Sequence, residues 1–361
     1  LANGRTILYL RFKPVNLSTL NQYPLLRIAL VFLAASHGLF AQKQATKPVF
    51  AKGADVSWLP QMEASGIVFK NDQGKPDDGL KILKDHGMNS VRLRVFVHPD
   101  QDKTSGHCSK EETVAMALRA KKLGMRVMID FHYSDSWADP SKQNKPKAWA
   151  SHSFPELCND VYQHTFNVLS ALKTAGVTPE WVQVGNEIPG GMLWPDGSTK
   201  NWSQLASLLN KGFEACRAAD STIQVIVHVD EGNNKEKFRW FFENATKEGV
   251  KYDIIGLSYY PFWVKKDYTE TIRDLEENMA ELSKKYGKPV MVVEVGGEAS
   301  KVENTFQLLE ATLKAVRNVP ENKGLGVFYW EPHGLQSWSG YSLHCWQENG
   351  QPSPALKAFL K

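Results

Sequence analysis

Two glutamates, Glu187 and Glu294, each close a short β-branched run, Trp-Val-Gln-Val-Gly-Asn-Glu and Pro-Val-Met-Val-Val-Glu-Val-Gly-Gly. A carboxylate at a buried strand end is costly unless it has a partner or a task, because an unpaired charge loses its hydration. If the two strands belong to one parallel barrel, both side chains emerge at its C-terminal mouth, where such barrels place reacting groups. The pair points to an acid and a nucleophile of the kind that cleave sugars. Glu298 and Glu331 compete for the nucleophile's place. Glu294 is preferred, because it directly follows Val290 to Val293, whereas Glu298 lies beyond two glycines and Trp330, before Glu331, has the better lumen parity.

The elements that must position this pair repeat from residue 50 onward: a β-rich run, a loop, an amphipathic helix, then another run. That is parallel α/β patterning. The expected strands are 51–57, 90–97, 126–132, 181–187, 223–230, 254–260, 289–295 and 325–331. Helices fill the gaps, among them 77–84, 110–123, 154–175, 202–219, 267–285 and 303–319, and residues 356–360 close the ring. Eight such units in one chain predict a single (β/α)8 TIM barrel over residues 42–361. An open doubly wound sheet would show a Gly-rich phosphate turn after its first strand; here that turn reads Ser57-Trp58-Leu59-Pro60.

Strand alternation then selects the residues that face the lumen. They are Asp55 on strand one, Arg92 and Arg94 on strand two, Asp130 and His132 on strand three, and Asn186 beside Glu187 on strand four. Strand five adds His228 and Asp230, strand six Tyr260 or Tyr259, strand seven Glu294 and strand eight Trp330. A purely structural barrel end needs no such set, although Asp130 alone reads equally as a brace, His228 as a satisfied interior histidine and Arg92 as a structural counter-ion. Arg94 and a strand-six tyrosine are the expected donors that keep Glu294 ionised. A divalent metal held by His132, His228, Asp130 and Asp230 is disfavoured for want of a His-x-His pair, and a serine nucleophile for want of a Gly-x-Ser-x-Gly elbow.

Eleven tryptophans are a high count, and many fall in the loops after these strands. Indole faces stack on the C–H faces of sugar rings, so Trp137 and Trp194, set among Asp, Ser, Pro and Gly, read as subsite walls. Trp58, Trp149, Trp263 and Trp338 lie in similar loops. Ordinary core packing suits Trp240, and also Trp202 or Trp346.

Charge excludes other partners. The formal net charge is +4, but Arg5, Arg11, Lys13 and Arg27 precede residue 42 with no acidic residue, leaving 39 basic against 39 acidic residues in the remainder. Such neutrality argues against a nucleic-acid partner and suits a neutral polymer. The apolar run 28–40 follows Arg27 and ends in Leu39-Phe40-Ala41, the layout of a secretory signal. Residues 1–41 are accordingly expected to be an N-terminal extension and signal peptide, and the protein to be secreted or periplasmic. The run is too short for a comfortable membrane span. Residues 1–24 are long for a signal's leading region and no Met precedes Met62; a misplaced translation start would explain them. Cys108, Cys158, Cys216 and Cys345 show no metal-ligand spacing and are expected to be mostly free thiols. A monomer is expected.

Six stretches resemble glycoside hydrolase family 53, the arabinogalactan endo-β-1,4-galactanases of clan A. They are Gly53 to Ser57, Val91 to Val97, Asp130 to Pro140 (Asp-Phe-His-Tyr-Ser-Asp-Ser-Trp-Ala-Asp-Pro), Val182 to Ile188, Ser258 to Phe262 and Tyr329 to Pro332. The Asp-Phe-His-Tyr-Ser-Asp run is specific to the family; the Asn-Glu pair marks only the clan. The resemblance implies that Glu187 is the acid/base, that Glu294 is the nucleophile, and that configuration is retained on β-1,4-galactan. Asn186 then suits the sugar 2-hydroxyl, and Asp135, Asp230 or a loop tryptophan the galactose C4 hydroxyl. Bacterial members often hold calcium in an Asp/Asn-rich loop after strand seven. Here Gly296 to Lys301 leads straight into a helix, so no metal and no other cofactor is expected. Another clan A endoglycanase, acting on mannan, xylan or β-glucan, is the alternative, and a non-catalytic sugar-binding barrel a more distant one.

Overall fold

The computed structural model describes residues 49–361 apart from 101, 105 and 106. The apolar run 28–40 and the expected boundary at residue 41 lie outside the described residues. Eight parallel strands close into one barrel in sequence order, β1 pairing with both β2 and β8. They are β1 Ala51–Asp55, β2 Ser90–Val95, β3 Arg126–Phe131, β4 Trp181–Val184, β5 Gln224–Val229, β6 Ile254–Tyr259, β7 Val290–Val295 and β8 Gly324–Trp330. All eight expected strands are present, and each is shorter than, or shifted from, its expected span at one end or both. β4 differs most. It stops at Val184, and Gly185 (φ 88°) opens a turn that brings Glu187 into the left-handed region at φ 42°.

Helices follow the strands on the outside: Lys110–Lys122 after β2, Phe154–Thr174 after β3, Trp202–Ala219 after β4, Lys235–Lys247 after β5, Tyr268–Tyr286 after β6 and Val302–Arg317 after β7. Their ends carry their own signals. Ser109 and Glu112 form a reciprocal capping box, Asp267 and Glu270 another, and Gly287 terminates its helix at φ 67°, a conformation glycine adopts without strain. A 3-10 turn at Pro354–Leu360 packs beside Val302–Arg317, where the sequence places the closing segment.

The lumen is layered. Ala51, Met128, Trp181, Ile226, Ile254, Met291, Val293 and Phe328 form a separate apolar cluster at the level where the strands begin. Gly53 belongs to this layer: a Cβ there would meet the Phe328 ring at 2.4 Å, so the bulk of Phe328 is accommodated only by an absent side chain. Above it the same faces turn polar, with Asp55, Arg92, Asp130, Gln183, His228 and Ser258 all buried. Among the described residues no helix is long and apolar enough to cross a membrane. All four cysteines are free, as expected.

Candidate active site

One guanidinium organises the polar layer. Arg92 Nη1 lies 2.8 Å from Asp55 Oδ2, and Nη2 lies 2.9 Å from Asp130 Oδ2 and 2.8 Å from Glu294 Oε1. Its Nε donates to Gln183 Oε1 at 2.7 Å and Nη2 donates to Asn186 Oδ1 at 2.8 Å. The expectation that Arg94 holds Glu294 is therefore corrected. Arg94 sits one step nearer the mouth, where it pairs with Asp55 at 3.1 Å and Glu331 at 2.6 Å, and its guanidinium lies 4.4 Å from the centre of the Trp137 ring. Arg92 is the residue in contact with Glu294. Its fixed planar fork suits several acceptors at once.

Glu294 reaches the lumen by an irregularity. On β7, Met291 and Val293 belong to the inner cluster while Val290, Val292 and Val295 pack outward. Simple alternation would send Glu294 outward as well. The pairing with β6 jumps from Leu257↔Val292 to Ser258↔Glu294, and the pairing with β8 also slips between Val292 and Val295. A bulge of this kind re-aims the following side chain, so Val293 and Glu294 both face inward. Glu294 Oε2 then accepts a 3.0 Å hydrogen bond from the Tyr260 hydroxyl.

The neighbouring tyrosine does not take part. Tyr259, one residue earlier on β6, points to the helical layer, where its hydroxyl meets Thr271 Oγ1 at 2.8 Å. It was expected as an alternative to Tyr260, and strand alternation settles the choice. Two further expectations are corrected. Asp135 accepts from the backbone N–H groups of His98 and Lys147, so it braces a loop and does not line the cleft. Trp194 folds back to donate to the Gly190 carbonyl, and its backbone N–H bonds to Gln143; it is absent from the cleft wall.

Glu187 meets a different environment. Its Oε1 accepts from Ser258 Oγ at 2.6 Å, and its backbone N–H faces His228 Nδ1 at 3.3 Å. A left-handed backbone at a non-glycine residue costs on the order of 1–3 kcal/mol unless its surroundings impose it. Gln143 does so, donating from Nε2 to the carbonyls of both Asn186 and Glu187. Asn186 Nδ2 is tied to the Ala138 carbonyl at 2.9 Å.

The electrostatics separate the two carboxyl groups. Burial first, then the charge of Glu294, pushes Glu187 well above the ordinary glutamate range. Burial also pushes Glu294 up, to about 7, with Arg92 and the Tyr260 hydroxyl pulling it back down and Asp130 and Asp55 adding to the rise. As pH rises the pair loses its first proton from Glu294 and keeps the second on Glu187. Burial lowers the pKa of both His132 and His228, so both imidazoles are neutral at pH 7. His132 Nδ1 accepts the Ala138 N–H at 3.0 Å, which leaves Nε2–H to face Asp130 at 3.0 Å.

A cleft of about 690 Å³ opens over these groups. Glu187, Glu294, Asn186, His132, Asp230, Tyr260, Trp137 and Trp330 line it as the sequence predicts, whereas Asp55, Arg94, Asp130 and His228 lie beneath and support it. Trp58 is the hub of its aromatic wall, in edge contact with Trp137, Trp330 and Tyr341. Trp263, 61% exposed, forms an outer lip. Trp240 is not in the core: it is 47% exposed on the outer face, edge-on to Trp202. Sequence reasoning missed Tyr341, Gln183 and Ser258. Parity with Trp181 and with Tyr260 would have found the last two; nothing in the loop around Tyr341 marks it. Among the described residues no group of three or more His, Cys, Asp or Glu gathers as a metal-ligand set, and Glu298, the one carboxylate in the loop 296–301 after β7, pairs with Lys301 at 2.6 Å.

Comparison with known proteins gives a consistent result. The chain is 37% identical over 308 residues to an endo-β-1,4-galactanase of Bacillus subtilis (strain 168), covering 78% of this chain and 70% of that one. It is 33% identical over 338 residues to an arabinogalactan endo-β-1,4-galactanase of Thermothelomyces thermophilus, covering 86% and 98%. The Ignisphaera aggregans GH53 catalytic domain matches the fold with a TM-score of 0.80 at 31% identity, over 86% of this chain and 95% of that one. Residues 51–359 match the pattern of Glycosyl hydrolase family 53, and the chain belongs to that family.

Proposed function

We infer that the protein is an endo-β-1,4-galactanase that hydrolyses galactan with retention, using Glu294 as nucleophile and Glu187 as acid/base. The observation that carries the assignment is the unequal support of the two carboxyl groups. Glu294 has a guanidinium at 2.8 Å and a phenol at 3.0 Å, partners that favour a carboxylate. Glu187 has a single hydroxyl partner and a like charge nearby, surroundings that favour the acid.

In the first step a Glu294 oxygen bonds to the anomeric carbon as the bond to the leaving oxygen breaks. That oxygen takes the proton of Glu187 as it departs. In the second step Glu187, now a carboxylate, removes a proton from water as the water displaces Glu294. Two inversions retain the configuration. Asn186, fixed by Arg92 and Ala138, suits the sugar 2-hydroxyl, and Asp230, held 2.8 Å from Lys237 at the rim, is a candidate reader of the C4 hydroxyl. The aromatic wall supplies faces for neighbouring rings. Family membership favours galactan over mannan, xylan and β-glucan.

The same reading includes export by the segment 28–40, a mature chain from residue 42, and action without calcium or another cofactor. The test is hydrolysis of linear β-1,4-galactan by residues 42–361, with mannan, xylan and β-glucan in parallel. Galacto-oligosaccharides from galactan alone are expected, and Glu294→Ala should abolish them while calorimetric binding persists. Cleavage of another polymer instead, or activity surviving in the Glu294→Ala variant, would overturn the substrate or the nucleophile respectively.

A further inference from the structure

We infer that Ser258, oriented by His228, is a positioning residue that fixes which oxygen of Glu187 carries the catalytic proton. The inference rests on Glu187 being the acid.

The hydrogen bonds beneath Glu187 form a chain with a single direction. It starts at Arg92, which can only donate. Arg92 Nε takes Gln183 Oε1 as its acceptor at 2.7 Å, so the NH2 of Gln183 faces His228 Nδ1 at 2.9 Å. The Glu187 backbone N–H points at the same nitrogen from 3.3 Å. Asn186 Oδ1, an acceptor with a second lone pair, also lies 3.1 Å from Nδ1, a single contact set against two donors. Two donors directed at Nδ1 leave it without a hydrogen, and the ring proton resides on Nε2.

His228 Nε2–H then donates to Ser258 Oγ at 2.8 Å, and the serine's own hydrogen goes to Glu187 Oε1 at 2.6 Å. Burial and the charge of Arg92 keep the imidazole neutral, so the chain does not reverse in the neutral range. Oε1 is thereby an acceptor, and the acid proton is left to Oε2 on the cleft side. After the leaving group departs, the same O–H stabilises the carboxylate and keeps Oε2 aimed at the incoming water. The other charged or titratable groups facing Glu187 are Glu294, Asp230, Arg92, Tyr260 and Tyr341. Among the described residues, the hydrogen bond to its Oε1 comes from Ser258.

Ser258 is a buried residue on β6 that touches the acid from below and lies outside the cleft lining. A packing role would weaken all substrates alike. A positioning role affects only reactions that need the acid.

The experiment compares wild type with Ser258→Ala, Ser258→Thr and Glu187→Ala on linear β-1,4-galactan and on a 2,4-dinitrophenyl β-galactobioside, whose leaving group needs no protonation. Glu187→Ala should lose galactan cleavage and keep the burst of dinitrophenolate. Ser258→Ala should lose about 10- to 100-fold in kcat/KM on galactan, within the range of general acid catalysis, with the burst rate within about threefold of wild type. Losing a donor to the carboxylate raises its pKa, so the alkaline limb of the galactan profile should move to higher pH. Ser258→Thr retains the hydroxyl and should retain both the rate and the limb. An unmoved limb in Ser258→Ala, equal losses on both substrates, or a threonine variant as impaired as alanine would each overturn the inference. If the alanine variant does not fold, Ser258→Cys, a weaker donor of similar shape, gives the same readouts. Galactan cleavage surviving in Glu187→Ala would instead remove the acid assignment itself.

Discussion

Around the reacting centre five carboxyl groups, those of Asp55, Asp130, Glu187, Glu294 and Glu331, share two guanidinium groups, those of Arg92 and Arg94. They cannot all ionise at ordinary cost in a buried layer; burial pushes Glu331 and Glu294 up as well as Glu187, and of these Glu187 alone has no cation partner among the described residues. This has a consequence for stability. Its folded pKa lies well above the unfolded value of 4.5, so the folded protein holds a proton that the unfolded chain has released. Stability is therefore lost as pH rises from the unfolded pKa toward the folded one. Glu187→Gln removes that dependence and keeps an acceptor for Ser258. Its Tm should equal that of wild type near pH 5 and exceed it by at least about 2 °C at pH 8, given a few degrees per kcal/mol at this size. A gain independent of pH would rule out ionisation as its cause. At this scale the two glutamates were legible because a carboxylate at the end of a buried apolar run needs a partner or a task. Arg92 was misjudged because parity places it in the lumen without saying that its fork reaches β7.

The strands decide what these side chains touch. Tyr259 and Tyr260 are adjacent in sequence, yet one hydroxyl meets Thr271 and the other Glu294. Tyr259→Phe should leave kcat within about twofold and cost about 1 kcal/mol of stability, the net worth of a typical buried hydrogen bond. Tyr260→Phe should lower kcat by at least about tenfold, since it removes a donor from Glu294, the proposed nucleophile. Equal effects in the two variants, by steady-state kinetics and thermal unfolding, would show that alternation does not separate them. Seven of the eight strand assignments needed only small adjustments at their ends because Val/Ile runs recur at regular spacing. β4 was overrun by three residues, since Gly185-Asn186-Glu187 is extended in pattern but turned in space. The β7 bulge was invisible: Val290 to Val295 reads as an ordinary strand, and the register shift arises from pairing with β6 and β8.

The whole molecule follows from one repeated unit, and for that reason the barrel was the most legible feature of all. Loops are another matter. Trp194, Asp135 and Tyr341 occupy connections whose paths no periodicity encodes, and the first two were placed at the cleft in error. The loop after β7 has local ties of its own, Glu298 to Lys301 and the Glu298 carbonyl accepting from Thr305 at 2.9 Å. Prolonged dialysis against EDTA should therefore leave both the galactan rate and Tm unchanged. A loss restored by added calcium would contradict this.

The apolar layer of Trp181, Phe328 and their neighbours also makes the lumen a dead end. A polymer cannot be threaded through it and must lie across the mouth. Water, departing saccharide and any second sugar alcohol share that one opening. With Glu294 as the proposed nucleophile, a glycosyl group held there meets hydroxyls from that side alone, so at high saccharide concentration transfer to a saccharide should compete with hydrolysis and longer products should form beside shorter ones.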